Sequence, residues 1–476
     1  MSTSARWWER LPHDYYRRVD ATEIDAEHSL KVHGSAVADR LLRTGLGSLV
    51  SAAMMPGMVL SSGVRREREA LRWYQGLADR ADRDEVFAAP PEQVPVDESG
   101  PGLLDWQPSG IPVRHWAFDS PYQPLNPALR QSYGRSGRNR RARGLYLFHP
   151  TGPRKTLVWL HGFTLDSYRV NGLGFALPWL WKQGYDILMV TLPFHGARAE
   201  RWHPFSGYGY FAGGMAHSNE AMLHAVHDIR IFIDHLLDAG APSVGISGLS
   251  LGGYLSALMA AVEPRLKFAI PNSPLVTPID MALQWQPLGP LLHFLQWRDG
   301  FGIGEMRHGM ALHSPLTWQP LIDPERLLII GGAGDRFTAP SFVINNLDVA
   351  LVAGLATRGL AVVVAGHPPF SGARQVRWTG TGPGEVGALP SAWTQRVARR
   401  AIILPPEWVR SLTLAPGEEV FLLISTDLDA AILAAQLAAA EQRGVALSAL
   451  TRTRGRLLPT TDGILAFYVD AVDLRS

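Results

Sequence analysis

The sequence predicts an α/β chain built on a mainly parallel sheet with helices on both faces. Three observations predict it. Short apolar runs alternate with helical stretches between residues 156 and 365, the pattern of parallel strands joined by crossover helices. Each run ends in a loop carrying Gly, His, Pro, Ser or Asp, and the carboxyl edge of such a sheet is where ligands sit. One of those loops, in GISGLSLGGY over 245–254, joins a strand to a helix through G-x-S-x-G.

Taken in order, residues 1–110 read as a mostly helical extension. Stretches 36–42 and 65–83 carry helix formers with charged faces, separated by an uncharged segment over 44–64. Residues 89–112 are rich in Pro, Gly, Asp and Glu and form a linker. Strands are predicted over 113–118, 144–148, 156–160, 186–191, 243–246, 268–270, 327–330 and 361–365. Helices are predicted over 172–183, 218–237, 251–262 and 340–355. The domain plan is therefore an extension over 1–110, a catalytic domain over 111–372 with insertions near 197–215 and 279–318, and a small α/β appendage over 373–476. In that appendage strands are expected over 419–425, 445–450 and 464–469, and a helix over 428–443.

Composition removes several function classes. At 476 residues the chain has material for two to three domains, and a net charge of +2 with 46% hydrophobic residues is ordinary for a soluble globular protein. Nothing singles out nucleic acid as a partner, and the cluster Arg135, Arg138, Arg140, Arg141 and Arg143 reads as a solvated loop. The absence of cysteine excludes disulfides, thiolate nucleophiles and cysteine-ligated metals. The basic, aromatic start has no apolar core of a secretory signal, so a cytoplasmic location is expected. Segment 44–64 is long enough for a membrane span but is diluted by Gly, Ser and Pro, so it reads as a buried or lid-like segment, ahead of contact with a membrane surface or lipid substrate and, last, a spanning helix.

Ser250, at the centre of the G-x-S-x-G, is the candidate nucleophile. A serine hydroxyl attacks only when a base takes its proton and a third group holds that base and stabilises its charge. In an elbow of this kind the chain order is Ser, acid, His. Asp335 follows the strand over 327–330 within GGAGDRF. His367 follows the strand over 361–365, and no other histidine occurs after His313. The strand over 268–270 ends in Ile270-Pro271-Asn272-Ser273 and offers no carboxylate, which favours Asp335. A tetrahedral intermediate also needs donors for its oxyanion, one from the residue after the nucleophile and one from an early post-strand loop. These are the backbone N–H groups of Leu251 and of Phe163, which follows His161-Gly162; His161 itself reads as a loop-shaping residue.

These motifs (HGF, LPFHGAR, GLSLGG, GDRF and GH, spread over 156–367) resemble the α/β-hydrolase superfamily, and most of all its bacterial serine-esterase-like members with an N-terminal extension. The resemblance covers about half the chain. It implies an eight-stranded hydrolase sheet, hydrolytic activity without a cofactor, the triad Ser250, Asp335 and His367, and Phe163 and Leu251 as oxyanion donors. The chain departs from the family after the base, where Thr379-Gly380-Thr381-Gly382-Pro383-Gly384 leads into further sequence outside the resemblance.

The insertions carry aromatic residues: Trp202, Phe205, Tyr208, Tyr210 and Phe211 in the first, Trp285, Phe294, Trp297 and Trp318 in the second. They suit an apolar acyl or aryl group of an ester, or equally the packing of a cap on the core. His224, His227 and His235 share one helix with Asp228 but lack a second ligand-bearing segment, so they read as a helix facing solvent or cap, with no metal expected. Lys155-Thr156 lies in no phosphate-binding loop. The expected activity is hydrolysis of carboxylic esters through an acyl-enzyme. The alternatives are a non-catalytic binding or scaffold protein with the same fold, and an interfacial lipase or thioesterase using the same triad.

Overall fold

The structure is a computed structural model that describes residues 6–18, 30–103, 105–275, 277–323 and 326–332, together with strands over 362–365, 398–403, 419–425, 450–459 and 465–472. The chain divides into two compact units, one of Met1–Arg17 with Leu41–Ile322, the other of Arg18–Arg40 with Asp323–Ser476.

The first unit holds β1 (Asp97–Ser99), β2 (Val113–Asp119), β3 (Arg141–Leu147), β4 (Lys155–Leu160), β5 (Tyr185–Thr191), β6 (Val244–Leu249) and β7 (Leu266–Asn272). They lie in the order β1-β2-β3-β5-β4-β6-β7. β3 runs antiparallel to β2 and β5, and β5, β4, β6 and β7 are mutually parallel. The parallel strands read as near-continuous apolar runs because both faces are covered: every residue of β4 after Lys155 and of β5 after Tyr185 is buried. One face packs Leu145, Leu147, Trp159, Ile187 and Met189 with Leu177 of a crossover helix. On another side of the sheet Phe118 of β2 meets Phe232 of the helix Gly214–Asp238 edge to face at 4.8 Å.

Several elements differ from expectation. The helix predicted over 172–183 is two helices, Tyr168–Gly174 and Leu177–Lys182, because Ala176 adopts a left-handed conformation at φ 52° between them. The uncharged segment is itself helical: Leu30–Met58 runs through it and encloses Pro56, and Ser61–Arg80 follows. The basic cluster is not one loop. Arg138 and Arg140 form a 3-10 turn, and Arg141 and Arg143 begin β3, where Arg141 pairs with Asp97 and Asp119.

The N-terminal segments rest on the second insertion. Arg307 and Asp280 form a fully buried ion pair, and the same guanidinium donates to the carbonyls of Leu11 at 2.9 Å and Pro12 at 3.0 Å. Trp8 stacks on His308, and Arg68 makes a two-pronged bond to Glu305. Glu67 accepts the Ala216 N–H at 2.8 Å and so caps the helix Gly214–Asp238 from outside. Gly214, at φ 86°, leaves room for that carboxylate.

In the second unit β8 (Ile329–Gly332) pairs in parallel with β9 (Val362–Ala365). β10 (Ala398–Ile403), β11 (Glu419–Ser425), β12 (Leu450–Pro459) and β13 (Leu465–Val472) form antiparallel ladders in the order β10-β13-β12-β11. β11 matches its prediction, whereas β10 was not anticipated and β12 runs on from the segment expected over 445–450. The helices predicted over 340–355 and 428–443 lie outside the described residues. Among the described residues no single helix is long and apolar enough to cross a membrane.

Candidate active site

The apolar strand β6 delivers the chain to Ser250, where φ is 52° and ψ −107°, and the helix Leu251–Val262 begins at the next residue. A serine in this conformation carries strain of about 1–3 kcal/mol, and it is held there from both sides. Its N–H donates to the Asn272 carbonyl at 2.9 Å, and its own carbonyl accepts from the Tyr254 N–H at 2.7 Å. The glycines around it are sterically required. A Cβ on Gly248 would lie 2.6 Å from the Leu160 carbonyl oxygen, and one on Gly253 would overlap the carbonyl of Asn272. Strand, sharp turn and helix therefore approach more closely than side chains allow, which lifts the serine to the carboxyl edge of the parallel strands. The fold is that of the α/β-hydrolases.

Asn272, which ends β7, braces this turn. Its amide donates to the Ser247 hydroxyl at 2.9 Å and the Gly248 carbonyl at 3.1 Å, and Ser247 in turn donates to the Ile270 carbonyl at 2.7 Å. In the sequence this strand end stands out only for lacking a carboxylate. The signal for the brace is a polar residue at the last position of a strand that pairs with β6.

The loop after β4 lies beside the elbow. A Cβ on Gly162 would stand 3.4 Å from the Leu249 carbonyl oxygen. His161 is buried with both ring nitrogens engaged: Nδ1 meets the Gly162 carbonyl at 2.8 Å, and Nε2 receives the Leu192 N–H at 3.1 Å. A carbonyl only accepts and an N–H only donates, so Nδ1 carries the proton. Burial lowers the pKa of His161, keeping it neutral, and it shapes the loop. Among the described residues, neither the Phe163 nor the Leu251 backbone N–H is taken up by a turn or cap hydrogen bond. Asp335 and His367 lie outside the described residues, so Ser250, Phe163 and Leu251 are the predicted site residues placed here.

The first insertion folds against this loop. The Phe163 ring meets Phe211 at 5.1 Å, His195 at 5.5 Å and Phe205 at 6.4 Å, all edge to face. Gly207, at φ 91°, is pressed so closely that a Cβ would stand 2.6 Å from both the Phe163 ring and His195 Nε2. Ser206 ties the loops together by accepting the Gly196 N–H at 2.9 Å and donating to Asp166. The aromatic residues of the second insertion divide differently: Trp285 and Trp318 are core, while Phe294 and Trp297 face solvent.

The helix bearing His224, His227 and His235 does not simply face solvent. His224 and Asp228 are fully buried, with Arg198 donating to Asp228 at 2.7 Å, to the Asn139 carbonyl at 2.8 Å and to the Thr191 carbonyl at 3.1 Å. His224 is engaged by Tyr133 at Nδ1 and by Arg198 and Ser120 at Nε2. Burial acts to raise the Asp228 pKa, but His224 and Arg198 outweigh it and hold the carboxyl well below its ordinary range. This network fastens the loop after β5 to the long helix.

No protein-family model matches the chain. It is 29% identical over 223 residues to uncharacterized proteins from two strains of Mycobacterium tuberculosis, an overlap of 44% of this chain and 49% of theirs. The chain thus spans about half the length of the curated relatives it matches. Among solved structures it is similar to acetyl xylan esterase 1 from Thermoanaerobacterium sp. JW/SL YS485, at 15% identity and a TM-score of 0.41, covering 60% of this chain and 88% of that one. An acetyl xylan esterase from Paenibacillus sp. R4 gives 15% identity and 0.38 over 58% and 84%. An S-formylglutathione hydrolase from Agrobacterium tumefaciens gives 15% and 0.34 over 52% and 87%.

Proposed function

We propose that this protein is a serine hydrolase of carboxylic esters. The observation that carries the reading is Ser250 held at positive φ between β6 and its helix, a strained position at the sheet edge where the residue stays partly exposed. In the proposed reaction His367 takes the Ser250 proton as Oγ attacks the ester carbonyl, and Asp335 orients the imidazole and stabilises its charge. The Leu251 and Phe163 N–H groups receive the oxyanion. The alcohol leaves with the proton, forming the acyl-enzyme, and water activated by the same histidine releases the acid. The aromatic cluster of Phe163, Phe205 and Phe211 suits an apolar acyl or aryl group.

A fluorophosphonate probe tests the reading. Wild-type protein is expected to label covalently, and Ser250→Ala and His367→Ala are expected not to. Absence of labelling in folded wild-type protein would sink the enzyme reading and favour a binding or scaffold role for the fold.

A further inference from the structure

The two long N-terminal helices meet at a sharp apolar corner. Arg43–Met58 and Ser61–Arg80 are bent 99° to each other across Val59 and Leu60. The corner is tight, since a Cβ on Gly63 would overlap the Gly57 carbonyl. Its side chains nevertheless face water: Val59 is 53% exposed and Leu60 68%. The helix Leu288–Asp299 lies alongside, because Arg298 donates to the carbonyls of Val59 at 2.7 Å and Met58 at 3.1 Å. The same guanidinium sits 5.1 Å from the Phe294 ring, and Phe294 lies 5.9 Å from Trp297, which is 80% exposed.

Val59, Leu60, Phe294 and Trp297 thus gather at one corner of the first unit. Arg298 is neutralised by Asp299 at 2.7 Å. Arg65 and Arg66, exposed on the first turns of the second helix, have no ion-pair partner among the described residues; Glu69 is the nearby exposed acid on that helix. An apolar tip with an indole beside it and unpaired arginines behind it has the chemistry of a surface that enters lipid headgroups while cations meet the phosphates.

We propose that this corner docks on an anionic bilayer surface, with Leu60, Val59 and Trp297 entering the headgroup region and Arg65 and Arg66 meeting lipid phosphates. Neither helix alone is long and apolar enough to span, and the 99° bend between them presents the corner to a surface. Docking here does not depend on the chemistry of Ser250.

Co-sedimentation of the full chain with vesicles tests the proposal, using phosphatidylcholine mixed with phosphatidylglycerol against phosphatidylcholine alone. The protein is expected to sediment with the anionic vesicles and to be released by salt. The double substitution Leu60→Glu with Trp297→Glu is expected to lower partitioning by about tenfold or more. Replacing Arg65 and Arg66 with Ala is expected to lower it by about fivefold per residue, and this solvent-facing pair carries the test if the first variant does not fold. Failure of the wild-type chain to bind anionic vesicles, or binding unchanged in both variants, overturns the proposal. A dimer in solution that Leu60→Glu dissociates, without vesicle binding, overturns it in favour of a second copy of this chain.

Discussion

Gly252 on the elbow helix packs directly against the backbone of Leu160 at the end of β4, so closely that a Cβ would overlap the Leu160 carbonyl. This contact brings the turn at Ser250 and Leu251 beside the loop of His161, Gly162 and Phe163. Gly252→Ala is expected to force the helix away from β4, destabilising the protein by about 1–3 kcal/mol. Phosphonate labelling should fall more than stability does, because the proposed nucleophile Ser250 moves away from the proposed oxyanion donor, the Phe163 N–H. Urea denaturation with labelling rates on the same sample checks this.

Ser250 pays for its exposure with strain, and Gly relieves that strain because it has no Cβ to clash at positive φ. Ser250→Gly is expected to stabilise the protein by about 1 kcal/mol while abolishing labelling. A drop in stability on this substitution would show that the serine conformation is not strained.

Asp228 and Arg198 are buried together, and removing one leaves the other as an uncompensated charge. Asp228→Ala is expected to cost about 3–5 kcal/mol, measured by urea denaturation. Replacing both with apolar residues of similar volume should recover most of that loss, since no charge is then stranded.

Glu67 has its pKa raised by burial to about 7, against the opposing effect of the Ala216 and Met215 N–H groups. Its folded value lies above its unfolded value, so its contribution to stability is fully present below about pH 4.5 and is lost as pH rises through about 7. Glu67→Gln keeps an acceptor for Ala216 and removes the titration. It is expected to be the more stable form at pH 8 by on the order of 2 kcal/mol and to flatten the slope of stability between pH 4.5 and 7. Thermal melts across that range check both.

How far the sequence could be read follows from how local each determinant is. The elbow was legible because its constraints lie within a few residues: glycines where the chain passes too closely, and a serine between a strand and a helix. The parallel strands were legible because burial on both faces leaves continuous apolar runs. The helix through the uncharged segment was not, because its Gly, Ser and Pro argue locally against helix, while Gly47, packed against Gln286, and Met54 and Met58 in the core are used by distant partners. His224 and Asp228 looked like a polar helical face because Arg198, which makes their burial tolerable, arrives from another loop. β12 was expected only at its first residue, Leu450, because the alternating Thr and Arg that follow resemble a solvated stretch until β11 and β13 pair with both of its edges.

The anchoring of Arg307 on the Leu11 carbonyl has a consequence for how the protein is made. The two residues stand 296 positions apart, so the beginning of the chain leaves the ribosome long before its binding partner exists. At ordinary rates of synthesis that interval is roughly 15–60 s. Throughout it Trp7, Trp8 and Tyr15, all buried in the finished protein, have no completed surface to settle on. Burial of these aromatic residues is therefore a late, long-range step of folding that needs the second insertion in place.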